Sequence, residues 1–201
     1  MSKAILAAIP IKPFGVAKAR LSGRLDATAR SRLGKAVATR TAEAATDAGA
    51  LVAIVTADRG VAGWARSNGY LVIDETMSPR DGLNGAAEAA VIEATRRRRS
   101  WAIIHADLPL VTPASLGLIF SLAAKHVVMV PAHDGGTNVI AGRSTEFRFA
   151  YGKGSFHRHL ASHPNARVVT HPQLALDLDT ARDLTRASID PAGRWLSRYL
   201  P

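Results

Sequence analysis

The 201-residue sequence contains no cysteine. Without cysteine the chain can form neither disulfides nor thiolate metal sites, and no thiol can serve as its nucleophile. Long apolar runs are missing as well, since none approaches the ~20 residues that a membrane-spanning helix needs. We therefore set aside disulfide-stabilised scaffolds, zinc ribbons, thiol enzymes and membrane-inserted proteins as classes.

A secretory leader is not expected at the amino terminus. The stretch MSKAILAAIP is too short, and too soon broken by Pro10, to act as a signal peptide, so we predict a first strand over residues 3–9. A length of 201 residues suits one large core, because cores stop growing only beyond ~250 residues. We therefore predict a single cytoplasmic domain over residues 1–201.

Aromatic residues are scarce, at 5%, and 26 basic residues outnumber 16 acidic ones, which gives a formal net charge of +10. Such an excess predicts attraction to anions in general. Nucleic acid is not the partner we expect, because no zinc or RNA-recognition signature occurs and the basic residues are spread along the chain. The densest basic run, Arg96–Arg99, ends a predicted helix, where cations complement the helix dipole. Nucleotides and phosphorylated metabolites are therefore the favoured anions.

Strand and helix patterns alternate along the first part of the sequence, which predicts a parallel sheet with right-handed crossovers. After about residue 126 the turn His133–Gly136 leads straight into another strand without room for a helix, which predicts antiparallel pairing. We therefore expect an α/β fold, a three-layer α/β/α arrangement with a mixed, mostly parallel sheet. The predicted strands cover residues 3–9, 51–56, 70–74, 101–104, 127–131, 137–141, 167–170 and 174–178. The predicted helices cover residues 27–48, 60–68, 83–97 and 157–163, with two more beginning at Thr112–Pro113 and at Thr180.

The loop after the first strand, IPIKPFGVAKARL, carries several cations and a glycine. In this position backbone N–H groups can cradle a phosphate chain while Lys18 and Arg20 neutralise its charge. The loop has neither the GK[ST] ending of a P-loop nor the GxGxxG of a dinucleotide fold. A phosphate-binding loop and an ordinary solvated basic loop both fit this stretch.

Three aspartates stand at predicted strand ends. Asp107 follows the buried run Trp101–Ile104, and open α/β sheets bind ligands outside the carboxyl ends of their strands. Asp177 and Asp179 alternate along the last predicted strand, so we expect them on one face. Neighbouring carboxylates favour a cation, and a few carboxylates completed by water and phosphate suit Mg²⁺. Alternatively, Asp107 and Asp179 only cap helices and Asp177 is solvated at a sheet edge.

Two glycine-containing segments, Asp134–Asn138 and Gly152–Phe156, form the last candidate site. Glycines let a backbone approach an anion closely, and Thr137 and Ser155 add hydroxyl donors. A helical pattern follows Ser155, so the positive end of a helix would face that anion. Ordinary turns and a helix cap explain the same residues without any ligand.

The histidines give no zinc signature. No thiolate or HExxH spacing accompanies the three that fall near one predicted helix, His157, His159 and His163. We expect these three to face solvent or to lie near phosphate, and we expect His105 to be structural.

Six segments occur together in the order typical of one family: AIPIKPFGVAKARL, GLNGAAEAA, HADLPLVTP, DGGTNVI, FAYGKGSFHRH and LDLDTARDL. On these motifs the chain resembles, nearly from end to end, the CofC family, called FbiD in mycobacteria. The resemblance implies a Rossmann-like nucleotidyltransferase fold, similar to the nucleotide-diphospho-sugar transferases. It also implies the guanylyltransferase step of coenzyme F(420) biosynthesis, in which GTP is joined to a small phosphorylated three-carbon acid and pyrophosphate leaves. That acid is 2-phospho-L-lactate, phosphoenolpyruvate or 3-phosphoglycerate in different branches.

The resemblance also implies roles for single residues. Those expected to bind Mg²⁺ are Asp107, Asp177 and Asp179. Those expected to be catalytic are Asp107 and, beside the GTP phosphates, Lys18 and Arg20. Those expected to bind substrate are Thr137, Gly152 and Ser155 for the acid, Asn138 in the same turn, and Asn84 near the nucleotide.

The implied partners are GTP, the phosphorylated acid and the lactyl transferase CofD or FbiA, to which a labile product would be handed over. The sequence leaves open whether the protein forms a homodimer. Another nucleotidyltransferase of the same fold, of molybdopterin or sugar-phosphate type, is the nearest alternative, but its LAGGxSxRMG loop is missing here. A non-catalytic nucleic-acid-binding protein is the other alternative, and it would show steep salt dependence and no turnover.

Overall fold

A computed structural model describes residues 5–15 and 19–199 of the protein. Its centre is a seven-stranded sheet with the order β3-β2-β1-β4-β6-β5-β7. The strands are β1 Ile5–Pro10, β2 Leu51–Val55, β3 Leu71–Ile73, β4 Ser100–Ile104, β5 Val128–Pro131, β6 Thr137–Gly142 and β7 Arg167–Val168. The first four strands in the order pair in parallel, whereas β6 runs antiparallel to both β4 and β5. The predicted mixed sheet, with its hairpin after residue 126, is confirmed.

Helices cover both faces of the sheet. They are α1 Ala27–Asp47, α2 Arg59–Ser67, α3 Gly82–Arg96, α4 Pro113–Ala123, α5 Ser155–Ser162, α6 Pro172–Ala175 and α7 Ala181–Ile189, with 3₁₀ segments at Ala19–Leu21, Glu75–Met77 and Pro191–Tyr199. The helices α1, α2 and α4 share one buried apolar cluster with the sheet, and α3 shares the other. Side chains along β1 alternate between the two clusters, as the period of a strand requires. The predicted three layers are therefore present.

The two helices predicted to begin at Thr112–Pro113 and at Thr180 are present, and both have a capped first turn. Thr112 accepts a hydrogen bond from the backbone N–H of Ser115 at the start of α4, and Thr180 accepts one from Asp183 at the start of α7. Both are capping boxes, in which the third helical residue bonds back to the cap. Within the described ranges, no helix is long and apolar enough to cross a membrane.

The prediction of a strand over residues 174–178 is wrong. Pro172 begins a single helical turn, α6, where its missing N–H leaves no bond unmade. The chain then runs extended past α6 and forms one backbone hydrogen bond of 2.9 Å, from the N–H of Leu178 to the oxygen of Asp107. Leu176 and Leu178 pack into a third apolar cluster with the start of α1 and with α7. This packing, and not a strand ladder, fixes the position of the aspartates beside them.

Candidate functional site

A cavity of about 270 Å³ opens between the carboxyl ends of β1 and β4. The segment from Pro10 to Phe14 forms one wall, residues 105–107 form another and the first turn of α3 forms the third. Crossovers leave β1 and β4 in opposite directions at this point of the sheet, which makes it the topological switch point, where open α/β sheets bind nucleotides. The α1 residues in the lining, Gly34 and Ala38, are small and leave room for a ligand. We call this space the switch-point cavity.

The cations of the loop after β1 differ in their position relative to this cavity. Lys12 lines it. Arg20, which we predicted to bind phosphate, does not line it; its side chain is 75% exposed and its Nη1 lies 3.6 Å from Oδ2 of Asp179. An exposed pair of this kind contributes little to stability, so Arg20 can exchange the carboxylate for a phosphate at low cost. Lys18 lies outside the described residues, and its role stays a prediction.

Four aspartates form an acidic cluster beside the cavity: Asp107, Asp134, Asp177 and Asp179. The pKa of Asp177 is raised, first by burial and then by the negative charge of Asp107, with smaller contributions from Asp134 and Asp179. The predicted metal-binding aspartates are thus within electrostatic reach of one another although the strand expected to align two of them is absent. The bond from Leu178 N–H to the backbone oxygen of Asp107 brings their two segments together.

The environment of Asp177 matches a cation site in its chemistry. Asp177 is only 8% exposed, and its Oδ1 accepts no hydrogen bond from the described residues, although Nδ1 of His133 lies 3.4 Å from it. A divalent cation would lower the repulsion that raises the Asp177 pKa. Across the described chain, however, no group of three or more His, Cys, Asp or Glu side chains is already arranged around one metal position. A magnesium ion would therefore need oxygens from substrate or water as well, which is its usual mode.

His133 lies between two carboxylates at the edge of the acidic cluster. Its Nδ1 is 3.4 Å from Oδ1 of Asp177, and its Nε2 is 3.4 Å from Oδ1 of Asp183. Asp183 in turn accepts the backbone N–H of Asp179 at 3.3 Å and caps α7. The first turn of α7 and the acidic cluster are therefore joined in one polar network.

The hydroxyls predicted to bind the acid are brought together where β6 and α5 begin. Thr137 Oγ1 and Ser155 Oγ lie 3.0 Å apart, and the two residues are 1% and 2% exposed. Gly152, by contrast, is exposed, and its backbone φ of 122° is one that residues with a Cβ rarely adopt. The structure thus brings Thr137 and Ser155 together as a covered pair, while Gly152, whose backbone oxygen accepts the N–H of Ser155 at 3.0 Å, lies at the surface.

The two predicted asparagines hold parts of the protein together. Asn84 Oδ1 accepts the backbone N–H of Tyr151 at 2.8 Å, so the first turn of α3 fixes the loop before α5. Asn138 is buried, and its Nδ2 donates to the backbone oxygen of Leu174 at 3.0 Å. The Oδ1 of Asn138 has no hydrogen-bond partner among the described residues. Substrate contacts by either residue stay predictions, whereas their contacts within the chain are now defined.

His159 is the main site residue that the sequence interpretation missed. It is fully buried, and its Nδ1 lies 3.0 Å from Thr137 Oγ1, so it does not face solvent. A usable signal was present, because Ser155 and His159 are four residues apart and share one face of a helix. His157 is exposed and His163 is half-buried.

The link from Asn84 to Tyr151 leads to a first testable prediction. Asn84→Ala should lower the free energy of unfolding by about 1 kcal/mol, because the Tyr151 N–H loses its acceptor. Asn84→Asp keeps an acceptor oxygen and adds a negative charge in the first turn of α3, where the helix dipole favours it. In urea unfolding, the free energy of unfolding of Asn84→Asp should therefore be close to that of the wild type, and that of Asn84→Ala should be lower. Equal losses for both variants would contradict the assignment.

Comparison with known proteins decides the family. The sequence pattern of the family described as "Guanylyl transferase CofC like" matches residues 5–200. The chain belongs to this CofC-like family. Its relatives include the 2-phospho-L-lactate guanylyltransferase of Methanothermobacter thermautotrophicus, 32% identical over 199 residues that cover 96% of this chain and 88% of that protein. Another is the phosphoenolpyruvate guanylyltransferase of Streptomyces coelicolor, 34% identical over 188 residues that cover 89% and 87%.

Solved structures support the fold of this CofC-like chain. A protein of Desulfovibrio desulfuricans G20, provisionally assigned as a nucleotide-diphospho-sugar transferase, superposes with a TM-score of 0.78 at 14% identity, covering 98% of this chain and 95% of its own. The CMP:2-keto-3-deoxy-manno-octonic acid synthetase complexed with CTP superposes with a TM-score of 0.59 at 12% identity, covering 98% and 100%. At these identities the similarity establishes the nucleotidyltransferase fold and nothing finer.

Proposed function

We propose that the protein transfers the guanylyl group of GTP to a small phosphorylated three-carbon acid and releases pyrophosphate, as a step of coenzyme F(420) biosynthesis. The observation that supports this most directly is the switch-point cavity next to the acidic cluster, in a chain of the CofC-like family. Relatives named for 2-phospho-L-lactate and for phosphoenolpyruvate make these two acids the first candidates, with 3-phosphoglycerate as a third.

The geometry suggests how two anions can meet. GTP would occupy the switch-point cavity, and the acid would lie between the acidic cluster and the hydroxyl pair of Thr137 and Ser155. A phosphate oxygen of the acid attacks the α-phosphorus of GTP, the bond to the β-phosphate oxygen breaks, and pyrophosphate leaves with the electron pair. The attacking phosphate is already anionic at neutral pH, so no general base is required. Catalysis then consists of positioning and of neutralising charge.

Individual residues divide this work. Arg20, and Lys18 beside it in sequence, would offset the charge that grows on the leaving pyrophosphate. Asp107, Asp177 and Asp179 would hold Mg²⁺, which when bound supplies positive charge to both phosphates. The bond from Leu178 to the backbone of Asp107 keeps their spacing independent of the side chains.

Pyrophosphate release gives a direct test. The protein is incubated with Mg²⁺, each of GTP, ATP, CTP and UTP, and each of the three acids in turn. We expect pyrophosphate only when GTP and one of the acids are both present, and none after chelation of the metal. Coupling to a CofD or FbiA transferase captures the labile product and tests the proposed hand-over. Pyrophosphate without any acid, or none with any combination, would refute the function.

The proposed substrates also suggest a location. Nucleoside triphosphates and phosphorylated acids are metabolites of the cytoplasm, and we propose that the enzyme acts there.

A further inference from the structure

A buried histidine ends a chain of hydrogen bonds that begins at the predicted acid-binding hydroxyls. Ser155 Oγ lies 3.0 Å from Thr137 Oγ1, and Thr137 Oγ1 lies 3.0 Å from Nδ1 of His159. All three residues are buried, with exposed fractions of 2%, 1% and 0%. Buried polar groups of this kind must be satisfied by one another or by a ligand, so the direction of each bond matters.

The position of the proton on His159 follows from its other nitrogen. The backbone N–H of Ala150 donates to Nε2 at 2.8 Å. A backbone N–H can only donate, so Nε2 must offer a lone pair, and the neutral ring carries its proton on Nδ1. Burial, followed by the positive charge of Arg158 and then the neighbouring His163 and His105, lowers the pKa of His159 to about 4. The ring is therefore neutral at pH 7 and donates from Nδ1 to Thr137.

The surroundings hold the ring and its donor in place. Arg158 donates to the backbone oxygen of Ala150 from Nε at 3.1 Å and from Nη2 at 2.9 Å, so the segment that presents the Ala150 N–H is fixed. The Tyr151 ring meets the His159 ring edge to face, with centroids 5.0 Å apart. The tautomer is thus set by the backbone of Ala150, which Arg158 of α5 holds in place.

Counting protons shows what this tautomer does to the hydroxyl pair. The two hydroxyls carry two protons, and one of them is used in the bond between the hydroxyls. Since Nδ1 of His159 donates, the second proton remains for a bond outside the trio, and the pair presents a donor. With the opposite tautomer, Nδ1 would accept that second proton, and the pair would present only lone pairs, which repel an anion.

We propose that His159 is a positioning residue that makes the Thr137–Ser155 pair a hydrogen-bond donor to the phosphate of the acid substrate. The inference rests on the proposed function for the identity of the anion, but not for the direction of the bonds. His159 itself touches no substrate. It acts by donating to Thr137, so that Thr137 or Ser155 has a proton left for a phosphate oxygen.

Two amide variants separate this role from simple packing. In His159→Asn the amide N–H reaches the place of Nδ1 and can donate to Thr137, while the bond from Ala150 is lost. In His159→Gln the amide oxygen reaches the place of Nε2 and can accept from Ala150, while the donor to Thr137 is lost. We expect His159→Gln to raise the KM for the acid by about tenfold, the effect of one hydrogen bond, and His159→Asn to stay within about threefold of the wild type.

The KM for GTP serves as the internal control, because His159 contacts the segment of Ala150 and Tyr151 and does not line the switch-point cavity. It should be unchanged in both variants. Equal effects of Asn and Gln on the KM for the acid, or equal effects of either variant on the KM values of both substrates, would overturn the inference. Urea unfolding of both variants identifies any loss that comes from stability alone.

Nuclear magnetic resonance of the full chain tests the bond direction without turnover. Imidazole nitrogen–proton correlation should show His159 neutral and protonated on Nδ1 at pH 7, and a proton on Nε2 would overturn the inference. Titration with inorganic phosphate should shift the signals of Ser155 and His159 in the wild type, and less in His159→Gln. If the wild type shows no turnover, the proposed function fails. The phosphate titration still tests the positioning role of His159, because the absence of any shift would refute that role.

Discussion

Asp107→Asn is expected to lower the rate of pyrophosphate release from GTP and the phosphorylated acid by roughly 10²–10³-fold. The substitution removes one negative charge from the acidic cluster while keeping nearly the same size. The fold should be unaffected, because the contact that joins the segments of Asp107 and Leu178 uses the backbone oxygen of Asp107. The Mg²⁺ concentration for half-maximal activity should rise as well, and a metal titration at saturating GTP measures it.

Asp134→Asn is the matched control for this loss. Asp134 belongs to the same acidic cluster and contributes to the raised pKa of Asp177, but it is exposed and lies in the turn before β6. Its side chain accepts the backbone N–H of Gly136 at 2.8 Å, and asparagine can accept the same bond. We expect activity within a few-fold of the wild type. Similar losses in both variants would mean that net charge alone matters, and full activity of Asp107→Asn would refute its role.

Gly85→Ala is expected to destabilise the protein and to weaken the binding of GTP in the switch-point cavity that we propose for it. A Cβ at this position would lie 1.7 Å from the backbone oxygen of Arg80, so the chain before α3 would have to move. That chain is held in place: Ser78 Oγ donates to Glu88 at 2.8 Å, and Arg80 Nη1 donates to Glu88 at 2.7 Å. We expect a loss of about 1–3 kcal/mol in the free energy of unfolding. We also expect a rise of about tenfold in the KM for GTP, because Gly82 lines the cavity.

Gly63→Ala provides the control for inserting a methyl group into a helix. Gly63 is exposed on α2, and the position of its Cβ is open space. This variant should gain up to about 1 kcal/mol, the difference in helix propensity between alanine and glycine. The free energy of unfolding, measured with urea, should therefore fall for Gly85→Ala and rise or stay unchanged for Gly63→Ala. The initial rate at limiting GTP should fall for Gly85→Ala and stay unchanged for Gly63→Ala. A stable and fully active Gly85→Ala would show that the segment before α3 can move freely.

The sequence predicts the sheet well where local patterns decide the structure. The buried run before Asp107 is a central strand with helices over both of its faces, parallel to β1 and antiparallel to β6, and apolar runs of strand length indicate such burial. The hairpin at residues 133–136 is equally local, since its short connection leaves no room for a crossover. The hydroxyl cap and proline at Thr112–Pro113 and the capping-box pattern at Thr180–Asp183 are also visible in the sequence, because each involves residues close together in the chain.

Contacts between distant segments account for what the sequence does not reveal. Residues 174–178 have the alternation of a strand, but Pro172 starts a helical turn, and their leucines pack on α1 and α7. His133 pairs with Asp177, and Asn84 binds the backbone of Tyr151, across separations that no local pattern records. The role of His159 depends on a backbone N–H from Ala150, and such a bond is found only by placing the chain in space.

The first turn of α3 touches both halves of the site. Leu83 lines the switch-point cavity, and Asn84, the next residue, holds the loop that leads to Ser155 of the hydroxyl pair. A ligand that stiffens this turn from one side therefore changes the free energy of ordering the loop on the other. Thermodynamic linkage makes the effect mutual: the factor by which bound GTP changes the affinity for the acid is the factor by which the acid changes the affinity for GTP. One helical turn would thus couple the binding of the two substrates in addition to the direct contact that the reaction requires.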